Sequence, residues 1–579
     1  MFVARRSVRL VVTPKTELVR LFSASNTLLQ NAYEAKKHNG IYDPETHIVR
    51  SPYESVLPDC NIPEYVWRNY KNWENSPAMT CGLTGKSFTY GQMYATFDKF
   101  SINLPAIFGL KQGDVVGLVL PNMPEYAVTF YGCLSAGLVV SPANPLYTAD
   151  ELLKQFTDAK VRLVVTIPEL ADRVKEALGK MPAGGAPMVL TDGAKCDSKE
   201  TFAFEEILSK QVKGANRLAK PGPEALAVLP YSSGTTGVPK GVVITHRNMV
   251  AGLVIANHAE AIADNGENSD GLDSTLAVIP FYHIYGAVII VGSCLSRGAH
   301  VITVPRFEPV SFSKVYEHYK PSHMFLVPPL VHFMARSPTI TKEAMSRLRL
   351  TVSGAAPLSK QIMDEYIAKS GPMSTFKTGY GMTESTCLIT TMPKDMPTCK
   401  SLSVGPPGSF TELKIIDGAL KTLPLGEVGE LCARGPHIIS GYLKNEKATK
   451  ETIIEGGWLR TGDVAFLDQY GHVNIVDRVK ELIKVKGFQV SPTELEALLI
   501  KCEGVADVAV IGVPDERSGE VPKAFIVKKP GSTVTVESIN EYLESKVAEY
   551  KQLRGGVKFV DAIPRSAAGK ILRKNLKHF

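Results

Sequence analysis

The chain has 579 residues, 44% of them hydrophobic and 21% charged, with a mean hydropathy near zero. That composition excludes a disordered or fibrous chain, and the length exceeds one ordinary domain. Over half of the +7 net charge comes from residues 1–22, where Arg5, Arg6, Arg9, Lys15 and Arg20 face Glu17 alone; the remainder carries no basic stripe suited to nucleic acid.

Taken in order, residues 1–22 are Arg-rich, acid-poor and apolar between their charges, a pattern that resembles a mitochondrial presequence. Arg20-Leu21-Phe22 ahead of Ser23 resembles a matrix-protease site, so cleavage after Phe22 and a matrix location are expected. A basic tail with no address, on a cytoplasmic or peroxisomal protein, is the alternative. The last residues, Lys577-His578-Phe579, are not the S-K-L peroxisomal ending. The nine cysteines stand singly, without C-x-x-C or Cys/His metal spacing, which points to reduced thiols. The most apolar region, Val115 to Pro142, is broken by Pro121, Asn122, Pro124 and Glu125 before the roughly 18 residues of a membrane span accumulate.

Residues 24–75, with Pro44, Pro52, Pro58 and Pro63, read as an irregular opening segment. From about residue 78 the pattern alternates. Helices are expected over 89–100, 125–136 and 150–156, and strands over 115–120 and 161–165. Further strands are expected at 275–279, 300–304, 323–327 and 349–352, each ending in a polar or Gly/Pro-rich loop. Such alternation argues for an α/β fold with parallel sheets. Beyond residue 400, short alternating segments at 413–416, 429–433 and 472–476 suggest a small antiparallel sheet or barrel. Asp477-Arg478-Val479-Lys480 reads as a polar connector, and 481–579 as a separate α+β domain, with helices near 492–501 and 536–547 and strands near 507–511 and 523–528.

Four segments carry chemistry. Ser232-Ser233-Gly234-Thr235-Thr236-Gly237-Val238-Pro239-Lys240-Gly241 follows an apolar strand and concentrates hydroxyls, glycines and one lysine. Backbone N–H groups and hydroxyls in such a turn form a concave anion site, and Lys240 adds a point charge for phosphate. It is not the kinase-type loop, because Pro239 stands where the second glycine would be. Thr378-Gly379-Tyr380-Gly381-Met382-Thr383-Glu384 offers a flat ring for adenine and a single carboxylate, which with phosphate oxygens can hold Mg2+. Asp463, in Trp458-Leu459-Arg460-Thr461-Gly462-Asp463, suits two ribose hydroxyls, and Arg478 could add a guanidinium. Lys570 follows Gly569 on a small-residue loop near the C-terminus. Read singly, each segment has a plainer explanation: a surface loop, a turn, a capping aspartate, a solvated lysine.

Together and in this order the segments resemble the acyl-adenylate-forming superfamily, in the branch of the acyl-CoA ligases similar to 4-coumarate–CoA ligase and firefly luciferase. The resemblance spans about residues 60–579. It implies a large N-terminal body of two α/β subdomains plus a small β-barrel (23–476), a hinge (477–480, pivoting at Lys480) and a mobile α+β C-terminal lid (481–579). It implies an ATP-dependent acid–CoA ligase using ATP, Mg2+ and CoA: Ser232, Ser233, Gly234, Thr235, Thr236, Gly237 and Lys240 on the phosphates; Gly379, Tyr380 and Gly381 on adenine; Thr383 and Glu384 on ATP and Mg2+; Asp463 and Arg478 on ribose. It also places His283 at the carboxylate site, Lys570 between the attacking carboxylate and the α-phosphate, and Lys486 and Gly487, in a run with Lys484 and Gln489, beside CoA. Ile284, Tyr285, Val288, Gly354, Ala355, Ala356 and Cys387 match pocket positions. Plant coumarate ligases carry asparagine where Val288 stands and Ala-Gly-Pro-Val-Leu where Ser385-Thr386-Cys387-Leu388-Ile389 stands, so a more apolar pocket for a fatty or aryl acid is expected. Thr378 replaces a glutamine common in relatives. Transfer of the acyl group to a carrier protein or to oxygen, and a non-catalytic nucleotide-binding regulator, are the alternatives.

Overall fold

The structure is a computed structural model that describes residues 38–182, 185–191, 200–210, 212, 217–232, 239–258, 273–372, 374–392, 403–478, 481–485, 488–515, 517–544, 546–566 and 569–577. The 1–22 segment, Ser233 to Gly237, Lys480, Lys486 and Gly487 lie outside them.

The first sheet is centred on Val115–Val119, which pairs in parallel with Val139–Pro142 and Val161–Thr166. Its sequence does not alternate because both faces are covered. Val116 and Leu118 pack into one core with Phe97, Phe100 and Tyr131, while Val119 and Val164 pack into another with Leu152, Phe156 and Val174. Met188–Leu190 and Thr201–Ala203 extend one edge and Leu226–Val228 the other. Beyond Leu226–Val228 the sheet turns antiparallel. Lys240–Thr245 pairs with Leu226–Val228, with Tyr231–Ser232 and with Gly441–Tyr442. The hydroxyl-rich segment therefore joins two antiparallel strands, Ser232 opposite Lys240.

The second sheet holds Thr375–Thr378, Leu350–Ser353, His323–Leu326, Ser274–Ala277, His300–Thr303 and Pro77–Cys81 in parallel, with Ser87–Thr89 antiparallel at its edge. Asn122 couples the two lobes. Its side-chain amide donates to Ala277 O and Ile279 O, and its Oδ1 accepts from Phe281 N. Buried polar groups need such partners, and here they fix the loop that carries His283.

The third sheet is antiparallel and eight-stranded, built on Glu412–Ile416, Gly429–Arg434 and Trp458–Leu467. Two of its strands, Ile41–Asp43 and Ile48–Arg50, come from the opening segment read as irregular. They were hard to see because a three-residue strand is too short to show a period. The polar-connector expectation also needs correction. Asp477 and Arg478 complete the strand Val473–Arg478, their polarity serving contacts across the sheet rather than marking a loop.

The small C-terminal body sets Gly519–Lys528 between Val505–Asp515 and Ile483–Val485, with Phe488–Val490 beyond and Val557–Phe559 in parallel. Pro492–Leu499 and Val536–Glu544 are helical, and Leu495, Leu499, Val510, Ile526 and Ile539 form its own core. Asp477 ties this body to the large one: its Oδ2 accepts from the Ser491 hydroxyl and, at 3.1 Å, from Thr493 N, at the start of the Pro492–Leu499 helix.

Candidate active site

One cavity opens where the second sheet, the 379–392 segment and the small body meet. His283, Ile284, Tyr285, Gly354, Ala355, Tyr380, Thr383, Cys387 and Lys570 all line it. Val288 does not: it is fully buried in the core, and Ile289 takes the cavity position. The reason is local. Gly286–Cys294 is a π-helix, whose wider turn carries Ile289 toward the cavity. Ala356 also falls outside the lining.

His283 is held by Asn122 through Phe281 and by Tyr126, whose hydroxyl donates to Phe281 O at 3.1 Å. Its Nδ1 accepts from Tyr285 N at 3.3 Å, so the ring proton sits on Nε2. Burial, then the nearby Lys570 charge, brings its pKa down to about 4, so it is a neutral donor at physiological pH.

The cavity wall depends on unusual backbone. Ala355, Thr386 and Cys387 have φ of 72°, 47° and 91°. Such non-glycine conformations cost about 1–3 kcal/mol each and persist where the surroundings enforce them. Gly381 makes room for the Cys387 turn: a Cβ there would stand 1.6 Å from Cys387 O. Across the floor run Phe325, Val352 and Lys377, in register on three adjacent parallel strands. Lys377 is 1% exposed. The expected apolar pocket thus has a charged residue in its floor, together with Thr378, Thr390 and Thr391. No motif marked Lys377, since a lysine inside a strand reads as a solvated position.

The end expected to take the nucleotide is held by side chains. Tyr380 Oη donates to Asp463 Oδ2 at 2.5 Å, and Arg478 Nε lies 3.2 Å from Asp463 Oδ1. Asp463 and Arg478 face each other across adjacent strands. Burial raises the Asp463 pKa, and Arg478 and the Tyr380 hydroxyl oppose that shift. Glu384, 5% exposed, accepts from Ser232 Oγ at 3.0 Å and Tyr442 Oη at 2.9 Å, both on Oε1. Among the described residues no group of three or more His, Cys, Asp or Glu could hold a metal. A single carboxylate with one oxygen free of donors among those residues fits Mg2+ carried in with phosphate oxygens.

Lys570 reaches this junction from the small body. Its loop is closed by Ser566 N donating to Lys570 O at 2.8 Å and Lys570 N donating to Ser566 Oγ at 3.2 Å. Gly569, at φ 76°, packs on Pro329 of the large body. Burial, then Arg478, lowers the Lys570 pKa, while Asp463 and Glu384 raise it. So Lys570 and His283 line one cavity, and Asp463 and Glu384, distant in sequence, lie near enough to act on the Lys570 charge.

The AMP-binding enzyme family profile matches residues 66–443, and the profile of the AMP-binding enzyme C-terminal domain matches 494–570. The chain belongs to the AMP-binding enzyme family. It is 37% identical over 543 residues to the 4-coumarate–CoA ligase CCL1 of Humulus lupulus, covering 91% of this chain and 96% of that one. It is 36% identical over 537 residues to the 4-coumarate–CoA ligase 1 of Petroselinum crispum, covering 91% and 96%. Among solved structures, ATP-bound MatB from Rhodopseudomonas palustris superposes with a TM-score of 0.79 at 26% identity, covering 90% of this chain and 99% of that one. The anthranilate–CoA ligase AuaEII in complex with anthranoyl-AMP gives 0.79 at 26%, covering 90% and 98%. Among the described residues of this family member no helix is long and apolar enough to cross a membrane.

Sequence reading missed Tyr442 and Lys377. Tyr442 sits in an ordinary Gly-Tyr pair, and only the pairing of Gly441–Tyr442 with Val242–Val243 brings it to Glu384.

Proposed function

We propose that this enzyme is an ATP-dependent acid–CoA ligase in which the residues above act on an aryl or fatty carboxylic acid. One observation carries the reading: Lys570 of the small body and His283 of the large one line the same cavity, beside Asp463 and Glu384.

The acid's carboxylate oxygen attacks the α-phosphorus of ATP, and the bond to pyrophosphate breaks. Both reactants are anionic, so the first requirement is charge compensation. Lys570 offsets the repulsion and holds the attacking oxygen in line, and neutral His283 donates from Nε2 to the carboxylate. Asp463 and Arg478 hold the ribose and Tyr380 the adenine. Mg2+ held by Glu384 and phosphate oxygens would neutralise the leaving pyrophosphate. CoA sulfur then attacks the acyl carbon and AMP leaves. Because Lys570 occupies the junction, it must withdraw first, with the small body turning about 477–480 and bringing Lys486 and Gly487 to CoA. The hydrophobic Ile284, Ile289, Phe325 and Val352 suit an aryl or alkyl chain. Residues 1–22 we read as a matrix presequence, which import of a fused reporter into isolated mitochondria tests.

The deciding experiment is acid-dependent ATP–pyrophosphate exchange across a panel of aryl and fatty acids, followed by thioester formation with free CoA. Exchange and thioester together support the ligase. Exchange without thioester identifies another acyl acceptor, and absence of exchange overturns the reading.

A further inference from the structure

We propose that Tyr442 is a positioning residue that holds the Glu384 carboxylate and the Lys240 ammonium in a fixed relation for a Mg2+-bound triphosphate. The inference rests on the ligase reading above.

Tyr442 touches both groups. Its hydroxyl donates to Glu384 Oε1 at 2.9 Å, and the Lys240 ammonium lies 5.0 Å from the centre of its ring. Ser232 Oγ donates to the same carboxylate oxygen at 3.0 Å. Two hydroxyl donors on one oxygen stop the carboxylate from rotating and direct its other oxygen to the remaining space. Lys240 has a flexible four-carbon stem and a point charge, and attraction to an aromatic face narrows its range.

The backbone fixes Tyr442 from three directions. Gly441–Tyr442 pairs with Val242–Val243, just past Lys240. Leu443 N donates to Gly241 O at 2.8 Å, and Tyr442 N to Thr449 Oγ1 at 3.0 Å. Gly441 sits at φ 153°, and a Cβ there would collide with the Thr449 side chain. The tyrosine is thereby bound to the strand that bears Lys240, while its hydroxyl reaches a carboxylate 58 residues away in sequence. It carries nothing to substrate itself; it sets the distance between two groups that do.

The test uses the full chain with Tyr442→Phe and Tyr442→Leu. Isothermal titration calorimetry measures binding of α,β-methylene-ATP, once with Mg2+ and once in EDTA, and binding of AMP. The phenylalanine variant keeps the ring and loses the hydroxyl. We expect it to bind the Mg2+ complex about tenfold more weakly, with binding in EDTA unchanged. The leucine variant also loses the ring, so its binding weakens in EDTA as well. AMP, which lacks the β- and γ-phosphates, binds both variants as it binds wild type. Wild-type affinity of Tyr442→Phe for the Mg2+ complex overturns the proposal. So does an equal loss for AMP, which would mean a general structural defect. Should wild type lack acid-dependent pyrophosphate exchange, the ligase reading fails separately, whatever calorimetry shows.

Discussion

The two ends of the cavity are built on different principles. The nucleotide end is a set of side chains holding side chains: Tyr380 and Arg478 on Asp463, Ser232 and Tyr442 on Glu384. The acyl end is shaped by backbone: positive φ at Ala355, Thr386 and Cys387, a π-helix at Gly286–Cys294, and Gly381 pressed against Cys387. In the proposed reaction phosphate and ribose are the same in every turnover, so polar partners at fixed places would serve them. An acyl group is recognised by the shape of its container, and shape follows from main-chain path.

The sharpest way to break this contrast is at the junction of the two ends. Lys570→Ala should lower adenylation about 100- to 1000-fold, while thioester formation from supplied acyl-adenylate survives. Stopped-flow measurement of each half-reaction checks it, and equal loss of both steps would remove Lys570 from the first. At the nucleotide end, Asp463→Ala should raise the KM for ATP about 10- to 100-fold, the loss of a charged hydrogen-bonding group, with the KM for the acid unchanged. A parallel rise in both would mean that the ends are not separable. At the acyl end, Lys377→Met should move selectivity about tenfold toward wholly apolar acids without altering the KM for ATP, measured across the same acid panel.

The smallest effect concerns what stands behind the acyl wall. His437 O accepts from Thr386 Oγ1 at 2.7 Å, while both ring nitrogens of His437 are buried and lack a hydrogen-bond partner among the described residues. Burial lowers the His437 pKa to about 3. The unfolded chain binds this proton near pH 6.5, the folded one near 3. The contribution is therefore complete above pH 6.5 and lost as pH falls toward 3. His437→Phe should be less sensitive to acid than wild type between pH 7 and 5, and at pH 7 more stable by about 1 kcal/mol through relief of an unpaired buried polar group. Thermal unfolding across that range measures both.

The contrast also explains what could be read in advance. Tyr380 to Glu384, Asp463 and Lys570 could be singled out because the proposed nucleotide chemistry needs particular residue types in short runs, and the structure brings them together. The parallel strands at 115–119, 300–303 and 323–326 were legible because double burial leaves an apolar run. Ile41–Asp43 and Ile48–Arg50 were not, being short strands paired to a sheet that begins over 350 residues later. Ile289 was displaced from prediction by one residue because helical pitch is not written in composition. Lys377 and Tyr442 were invisible because their neighbours come from other strands, and a lone lysine or tyrosine has no local signature.

One contact bears on the swing proposed for the small body. The final strand of the large body, Val473–Arg478, carries Asp477, whose carboxylate grips the leading turn of the Pro492–Leu499 helix. A partial swing would strip two donors from a 5%-exposed carboxylate and give nothing back. In the swing proposed above, halfway angles would therefore be the least favourable ones, and the joint would click between stops like a ratchet rather than roll freely like a ball in a socket.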